Sequence, residues 1–408
     1  MFLIIVGMGI LILIIGIPII LSQRAITLSS QMESADVVTS STTFVTTPIN
    51  PSSTTVRDPK DKPLTFIPYI EYKNISSPIR ITTGDINGDN HTDLIITNEY
   101  VNVFFGDGNG MFTTQVRTPL PANITYILVG DCNGDNRQDL IAIYGLDAMA
   151  SVLLGRDDRK FATIISSSLD ANPRDQDFGS GPTSGAVGDF NGDNFLDLVI
   201  NYNVALHIYV LLGYGNGSFG QAIPYMAYYQ QGTPVVTDFN NDNCLDIAVT
   251  SLDYCRCTLI LFGYCNGTFR TVAPRETIPN PATIVIADLN GDKNQDFATS
   301  DDVSLIGVSL GNGDGFFRTP ILDLPLSGTF KNLAAGDVNC DTYIDLIMGS
   351  NSTNYMSIFL GFGNGNFEPV TFNTTGSITS FALDDLNGDG HLDIVTHCSV
   401  YVTFTYLS

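Results

Sequence analysis

The sequence of 408 residues is poor in basic side chains, with 18 lysines and arginines against 42 aspartates and glutamates and a formal charge of −24. Because phosphate backbones are bound by basic patches, this balance excludes nucleic acid as a partner. Charged residues make up only 15% of the chain and hydrophobic residues 44%, which excludes disorder over the whole length. Tryptophan is absent, whereas glycine, phenylalanine and tyrosine number 38, 24 and 17. That mix favours strands and tight turns.

Histidine is also scarce, and no catalytic constellation is visible. The chain has four histidines, and none lies at a recognised spacing from a Ser, Cys or carboxylate nucleophile. The glycine-rich run at 106–110 is not a dinucleotide fingerprint, because it joins two strand-like segments and recurs along the chain. We therefore predict that the protein is not an enzyme.

The N-terminal 62 residues differ in composition from the rest. Residues 1–22 carry no charged side chain and are long enough to cross a bilayer as a helix, so they are a transmembrane anchor or a signal that is cleaved in a secreted protein. The nearest basic residue, Arg24, is too weak a signal to set the orientation. From Thr39 to Thr55, 11 of 17 residues are Ser or Thr, which predicts a disordered linker over 23–62.

From residue 63 to residue 408 the chain is periodic. A segment of the form DxNxDxxxD recurs seven times, and its first Asp falls at 85, 131, 189, 238, 288, 337 and 385. A repeat of about 50 residues is the size of one propeller blade. Between these segments lies an apolar run followed by a Gly/Asn turn and Phe, as at Phe112 and Phe367. Asn-Gly in such a turn supplies the positive φ angles of a tight hairpin.

Each repeat therefore predicts four short antiparallel strands, A to D, with the Asp segment between A and B and the Gly turn between C and D. The fold class is all-β, a seven-bladed β-propeller over 63–408 that follows one hydrophobic helix and a linker. Residues 65–67 resemble a strand D and residues 401–407 a strand C, so we expect the two termini to pair and complete the seventh blade. A parallel β-solenoid is the alternative, but it usually has shorter repeats and no hairpins.

The Asp segments predict cation sites. Positions 1, 5 and 9 are Asp, position 3 is Asn, and position 7 would offer a backbone carbonyl, a set of oxygens that suits Ca²⁺ better than Mg²⁺. Position 2 is always apolar, which predicts that its side chain faces the core. An EF-hand is excluded, since Ile96 stands where its bidentate Glu would be and the flanks are strand-like. Ordinary polar turns without metal remain the alternative.

The candidate ligands are Asp85, Asn87, Asp89, His91 and Asp93 in loop 1; Asp131, Asn133, Asp135, Arg137 and Asp139 in loop 2; Asp189, Asn191, Asp193, Phe195 and Asp197 in loop 3; Asp238, Asn240, Asp242, Cys244 and Asp246 in loop 4; Asp288, Asn290, Asp292, Asn294 and Asp296 in loop 5; Asp337, Asn339, Asp341, Tyr343 and Asp345 in loop 6; and Asp385, Asn387, Asp389, His391 and Asp393 in loop 7.

These motifs resemble the FG-GAP/VCBS repeats that also build the propellers of integrin α chains. The aromatic-Gly turn of that family matches Phe105-Gly106 and Phe262-Gly263, and its Ca²⁺ loop matches all seven Asp segments. The resemblance implies up to seven Ca²⁺ ions in the A–B loops of one face and a ligand on the face opposite. Loops 5 and 6 are the least certain to fill, because Lys293 and Thr342 replace a residue that tolerates a left-handed turn.

The cysteines and glycosylation sequons bear on the compartment. Cys244, Cys255, Cys257 and Cys265 lie within one predicted repeat, which is compatible with a local disulfide and is a poor match to zinc spacing. Sequons occur at Asn74, Asn123, Asn216, Asn266, Asn351 and Asn373, and at Asn90 inside loop 1. With Ca²⁺ sites, which fill readily outside cells, these features predict a cell-surface, single-pass or secreted glycoprotein.

The first functional hypothesis is therefore an extracellular, membrane-tethered binding or adhesion module for an unknown protein or glycan. A carbohydrate-binding or carbohydrate-acting protein is the second, although the absence of Trp weakens it. A purely structural surface protein is the third. The long connection from Asp170 to Gly185 is the candidate contact with a partner, or a solvated insertion.

Overall fold

A computed structural model gives the structure of the chain. It describes residues 36–37, 71–72, 80–98, 100–120, 124–145, 149–156, 158–161, 164–169, 181–202, 207–227, 232–251, 257–271, 275–276, 281–301, 305–318, 324–325, 330–374, 376–398 and 401–405. The predicted anchor over 1–22, most of the predicted linker over 23–62 and the predicted strand at 65–67 lie outside these residues.

The described residues form β-strands connected by turns and bends. The strands are β1 (Asp36–Val37), β2 (Glu71–Tyr72), β3 (Arg80–Gly84), β4 (Asp93–Thr97), β5 (Tyr100–Gly106), β6 (Phe112–Pro119), β7 (Ile124–Gly130), β8 (Asp139–Tyr144), β9 (Met149–Leu153), β10 (Ile164–Ser168), β11 (Pro182–Gly188), β12 (Asp197–Tyr202), β13 (His207–Leu211), β14 (Ile223–Met226), β15 (Val235–Thr237), β16 (Asp246–Ser251), β17 (Cys257–Gly263), β18 (Phe269–Thr271), β19 (Arg275–Glu276), β20 (Pro281–Ala287), β21 (Asp296–Asp301), β22 (Leu305–Ser309), β23 (Leu324–Pro325), β24 (Phe330–Gly336), β25 (Asp345–Ser350), β26 (Tyr355–Gly361), β27 (Phe367–Asn373), β28 (Ile378–Asp384), β29 (Asp393–Cys398) and β30 (Tyr401–Thr405).

Six sheets are propeller blades of four consecutive antiparallel strands: blade 1 (β3–β6), blade 2 (β7–β10), blade 3 (β11–β14), blade 4 (β15–β18), blade 5 (β20–β23) and blade 6 (β24–β27). Two of them gain an extra strand, because β1 pairs with β6 in blade 1 and β19 pairs with β17 in blade 4. Six such blades are therefore observed where the sequence predicts seven. The chain is an all-β propeller of four-stranded antiparallel blades.

The remaining strands form a further sheet, in the order β2, β30, β29, β28, which we call the closing sheet. Its outer strand comes from the N-terminal side of the propeller, since Glu71 pairs with Thr403 and Tyr72 with Val402. A strand from near the N-terminus thus pairs with the last described strand. This strand is β2, at residues 71–72. The segment 65–67, which the sequence predicts as the partner, lies outside the described residues.

The hydrophobic core lies between neighbouring sheets. Strand B of each blade is buried along its length, and in β8 it is apolar after the initial Asp, which is typical of a strand covered on both faces. Between blades 2 and 3, Ile141, Leu198 and Tyr209 belong to one buried cluster. The first strands of successive blades contact one another in chain order, from β3 to β24. Because the four strands of a blade are consecutive and antiparallel, the Asp loop between strands A and B lies at the same end of the blade as the turn between strands C and D.

No helix among the described residues is long and apolar enough to cross a membrane. The predicted membrane segment lies in the part of the chain that the structure does not describe.

Candidate functional site

The seven Asp segments form the A–B loops and share one backbone conformation. Positions 4 and 6 are left-handed in every loop, with φ between 59° and 83°. The departures from Gly and Asn adopt the same conformation, with φ of 71° at Lys293 and 75° at Thr342. The substitutions that made loops 5 and 6 the least certain therefore leave their backbone unchanged.

The Asp at position 1 organises the loop from its centre. In loop 3, Asp189 Oδ1 accepts hydrogen bonds from the backbone N–H groups of Gly192 at 2.7 Å and Asp193 at 3.2 Å. Its Oδ2 accepts from the N–H of Asn194 at 2.8 Å. The chain thus wraps around one carboxylate, which compensates the cost of the left-handed residues.

Positions 3 and 5 contact each other in every loop, since the amide oxygen of position 3 accepts the N–H of position 5. Asn191 Oδ1 accepts from the N–H of Asp193 at 2.9 Å, and Asn191 Nδ2 donates to Asp193 Oδ2 at 2.8 Å. Loops 2, 4 and 5 repeat this amide–carboxylate contact. In loops 1 and 6 the Nδ2 atoms of Asn87 and Asn339 are buried and have no partner.

The Asp at position 9 is buried and joins two parts of the blade. Asp197 has 0% of its surface exposed. Its Oδ2 accepts the N–H of Phe190 at position 2 at 2.8 Å, and its Oδ1 accepts the N–H of Gly213 at the start of the C–D turn at 2.7 Å. Asp93, Asp139, Asp246, Asp296 and Asp345 accept the equivalent pair. The position-9 carboxylate thus fixes the A–B loop to the C–D turn.

Burial raises the pKa of these position-9 carboxyls. The pKa of Asp93 and of Asp345 is raised to about 7, and that of Asp197 to about 6. Loss of hydration is the main cause and is only partly offset by the two backbone N–H groups, while the Asp residues at positions 1 and 5 add repulsion. Each loop therefore gathers three acidic groups whose shared negative charge is costly.

The first glycine of the C–D turn makes this bridge possible. A Cβ at Gly213 would lie 2.1 Å from the carbonyl oxygen of Leu196, at position 8 of loop 3. Gly106, Gly155, Gly263, Gly311 and Gly361 meet the position-8 carbonyl of their own blades in the same way. The glycine that follows Phe or Leu before each of these turns is therefore needed for close backbone approach. Blade 2 keeps it as Gly155, although its turn lacks the other glycines.

The side chain at position 7 covers the C–D turn. In loop 3, a Cβ at Gly215 would lie 2.3 Å from the ring of Phe195, and in loop 6 Gly363 stands in the same relation to Tyr343. Loop 4 replaces this contact by a covalent bond, since Cys244 forms a disulfide with Cys265. The residue predicted to offer a backbone carbonyl to the cation therefore also ties its loop to the turn of the same blade.

The structure brings each predicted ligand set into one loop, and position 2 is buried in all seven, as predicted. The donors are carboxylate, amide and carbonyl oxygens, which fit a hard divalent cation. Among the described residues, however, no three His, Cys, Asp or Glu side chains converge as a metal cluster. The carboxylates at positions 1 and 9 face backbone N–H groups instead.

Arginine side chains compete for the acidic oxygens of two loops. Arg137 Nη2 lies 2.7 Å from Asp135 Oδ2 in loop 2. Arg159 Nη2 lies 3.8 Å from Asp89 Oδ2 in loop 1. The sequence predicts neither contact, and it predicts only a backbone carbonyl oxygen from Arg137. Most of the connection from Asp170 to Gly185, the candidate contact with a partner, lies outside the described residues, which resume at 181.

Comparison with known proteins agrees with this geometry. Three stretches of the chain, residues 85–142, 189–249 and 337–396, match the FG-GAP-like repeat. The chain thus contains FG-GAP-like repeats, consistent with an FG-GAP repeat β-propeller. Each matched stretch begins at position 1 of one A–B loop and continues through the next A–B loop along the chain. No curated protein sequence matches the chain significantly.

Solved structures share the fold at low identity. A lectin, BP39L from Burkholderia pseudomallei, is 14% identical with a TM-score of 0.60, over 82% of this chain and 96% of that one. An Agrocybe aegerita lectin that recognises non-reducing terminal N-acetylglucosamine is 16% identical with a TM-score of 0.57, over 82% and 86%. Virginiamycin B lyase from Staphylococcus aureus is 12% identical with a TM-score of 0.57, over 84% and 100%. The FG-GAP propeller therefore shares its fold with binding proteins and with an enzyme.

We predict that Gly213→Ala weakens blade 3. The added methyl group would push the C–D turn away from the Leu196 carbonyl and stretch the Gly213–Asp197 hydrogen bond. The free energy of unfolding should fall by about 2–4 kcal/mol, measured by urea unfolding followed by circular dichroism. Tyr214→Ala, at the exposed neighbouring position, is the control and should change it by less than about 0.5 kcal/mol. Equal effects of the two variants would contradict the packing role.

We also predict that the protein in EGTA becomes less stable as the pH rises. An unfolded Asp has a pKa of about 3.9, whereas the folded position-9 carboxyls titrate near 6 to 7. The folded state therefore holds protons that the unfolded state releases, a stabilisation that is complete below about pH 4 and lost as the pH passes through 6 and 7.

The measurement is the melting temperature in EGTA between pH 5.5 and pH 8, which should fall by several degrees. Asp197→Asn removes one titrating group, so its melting temperature should fall less steeply over the same interval. A melting temperature that is constant or rises over this range would refute the prediction.

Proposed function

We propose that this FG-GAP propeller is an extracellular binding module whose A–B loops bind Ca²⁺. The observation that carries the proposal is the repeated loop geometry, in which a buried carboxylate at position 9 lies near two further Asp residues and has a pKa raised towards neutrality. A divalent cation would offset the repulsion between the carboxylates at positions 1, 5 and 9. Positions 1, 3, 5 and 9 and the carbonyl of position 7 would hold it.

Bound Ca²⁺ would supply positive charge and fix the loop oxygens relative to one another. The carboxylate of position 9 already joins the loop to the C–D turn, so rigidity gained in the loop would pass to both ends of the blade. Loops 3 to 7 are the better candidates. In loop 2 Arg137 already neutralises the Asp135 carboxylate at 2.7 Å.

An oxidising compartment is supported by the Cys244–Cys265 disulfide, since such bonds persist mainly outside the cytosol. Two sequon asparagines, Asn216 and Asn266, are exposed at the tips of adjacent C–D turns, where a glycan could be accommodated. We therefore propose that the propeller is presented at the cell surface or secreted, with residues 1–22 as its membrane anchor or signal.

We also propose that the closing sheet completes the ring as a seventh blade. The N–H of Ile81 in blade 1 donates to Ser380 Oγ in the closing sheet at 3.1 Å. Thr92 Oγ1 donates to Asp384 Oδ1 at 3.4 Å, and Leu386 belongs to the apolar cluster of blade 1. These contacts run from the last sheet back to the first, and ring closure would protect both edges.

Ca²⁺ binding is tested by isothermal titration of the chelator-treated chain with CaCl₂, followed by thermal unfolding with and without EGTA. We expect several equivalents of Ca²⁺ to bind and to raise the melting temperature. Asp193→Ala removes an exposed oxygen at position 5 of loop 3 and should lower the stoichiometry by one. Asp314→Ala, an exposed Asp in a C–D turn, is the matched control and should keep it. Absence of binding to the parent chain would refute the calcium proposal.

Carbohydrate is the second candidate ligand, favoured by exposed aromatic side chains. Tyr214 and Tyr264 occupy the same position in the C–D turns of blades 3 and 4 and are 63% and 56% exposed. Tyrosine rings can stack on sugars, and two of the solved structures with this fold are lectins. In this case the ligand would bind beside the Asp loops, whereas the adhesion hypothesis uses the opposite face.

Binding to a glycan array and cell aggregation separate the two candidates. If the protein is a lectin, selected glycans should bind the parent chain, and Tyr214→Ser with Tyr264→Ser should abolish the signal while Tyr343→Ser retains it. If it is an adhesion module, beads coated with the chain should aggregate cells in Ca²⁺ and not in EGTA, without glycan binding. The absence of both glycan binding and cell aggregation would contradict a binding function.

A further inference from the structure

A polar cavity lies along the propeller axis at the end remote from the Asp loops. It has a volume of about 190 Å³ and is lined by the first strands of blades 1, 2 and 6 and of the closing sheet. Arg80, Thr82, Tyr126, Asn332 and Ser380 provide its polar groups, and Leu333 and Phe381 contribute apolar surface. Arg80 opens β3 and Asp85 follows its last residue, so the cavity and loop 1 are about 15 Å apart along an extended strand.

Arg80 is held in a defined position in this cavity. The Cζ atom of its guanidinium lies 4.7 Å from the centroid of the Tyr126 ring. Stacking on a ring covers one face of the guanidinium and leaves the N–H groups at its edge available for planar recognition. No carboxylate of the described residues forms an ion pair with Arg80, although the chain carries a net charge of −24.

The neighbouring polar groups are also pre-positioned. Asn332 Nδ2 donates to the carbonyl of Thr379 at 2.8 Å, which holds its amide and leaves Oδ1 as an acceptor. Ser380 Oγ accepts the N–H of Ile81 at 3.1 Å and keeps its hydroxyl proton to donate. A ligand in the cavity would therefore meet a fixed cation, a hydroxyl donor and an amide acceptor.

We propose that this axial cavity binds a small organic carboxylate with hydroxyl groups, of the size of an acidic monosaccharide. The guanidinium edge would bind the carboxylate through two parallel N–H···O hydrogen bonds. The Asn332 and Ser380 groups would bind hydroxyls, and the volume of about 190 Å³ excludes a larger ligand from full enclosure. The inference goes beyond the proposed calcium function, since none of the groups involved belongs to an Asp loop.

The test uses sodium D-glucuronate as the probe and D-glucose as its neutral analogue, with the full chain in Ca²⁺-containing buffer of low ionic strength. Binding is measured by isothermal titration and by saturation-transfer NMR. Glucuronate should bind the parent chain at least about tenfold more tightly than glucose, because a charge-assisted bidentate contact is lost in the neutral sugar. Absence of glucuronate binding, or equal binding of glucose, overturns the proposal.

Matched variants place the binding site. Arg80→Gln should weaken glucuronate binding at least about tenfold, and Arg80→Lys, which keeps the charge without the planar fork, should weaken it less. Arg117→Gln is the control, because Arg117 also stacks on a tyrosine, with its Cζ 3.4 Å from the Tyr100 centroid, but lies on β6, the fourth strand of blade 1. It should bind glucuronate like the parent.

Two results overturn the assignment even if glucuronate binds. Unchanged affinity in Arg80→Gln would place the carboxylate elsewhere, for example at Ca²⁺ in an Asp loop. Equal losses in Arg80→Gln and Arg117→Gln would show a non-specific charge effect. The melting temperature of each variant is compared with that of the parent, and Arg80→Lys gives an independent reading if Arg80→Gln does not fold.

Discussion

The buried carboxylate at position 9 of each Asp loop is the contact on which a blade depends. In blade 3, Asp197 binds the N–H of Phe190 at the beginning of its own loop and the N–H of Gly213 at the end of strand C. One side chain therefore fixes the A–B loop, the start of strand B and the C–D turn. An ionisable group with no exposed surface is costly unless it is fully hydrogen-bonded, so the geometry around it tolerates little change.

The rest of the loop follows from this constraint. The position-8 carbonyl is drawn so close to the C–D turn that only glycine fits there, as at Gly213. The apolar side chain at position 2 turns into the core, because its N–H points to the Asp carboxylate. In blade 4 the same two segments are joined a second time by the Cys244–Cys265 disulfide. The carboxylate hydrogen bonds and the glycine packing thus recur at this junction in blades 1 to 6, and blade 4 adds a covalent bond.

The two ends of the propeller differ in chemistry. At one end the A–B loops gather half of the acidic residues of the chain, an arrangement suited to cations. At the other end, an arginine stacked on Tyr126 lines an axial cavity. A propeller with these two ends could keep its blades rigid through one of them and recognise a ligand through the other.

Much of the fold is readable from the sequence, because it depends on short-range patterns. The Asp segments and Gly turns recur about every 50 residues, and the apolar runs between them give strands B and C where they were predicted, as at β12 and β17. The burial of position 2 also follows from local alternation, as Phe190 and Leu289 show. The set of oxygen donors in each loop is likewise a property of the sequence alone.

Contacts between residues distant in sequence were decided only by the tertiary structure. The partner of Asp197 is Gly213, 16 residues away, and its identity depends on how strands B and C pair. The choice of Cys265 as the partner of Cys244 depends on the corresponding pairing of strands B and C in blade 4. Arg80, Asn332 and Ser380 line one cavity because the last sheets contact the first. A repeat pattern specifies each blade but not which side chains meet when the blades assemble, since that depends on the packing between sheets.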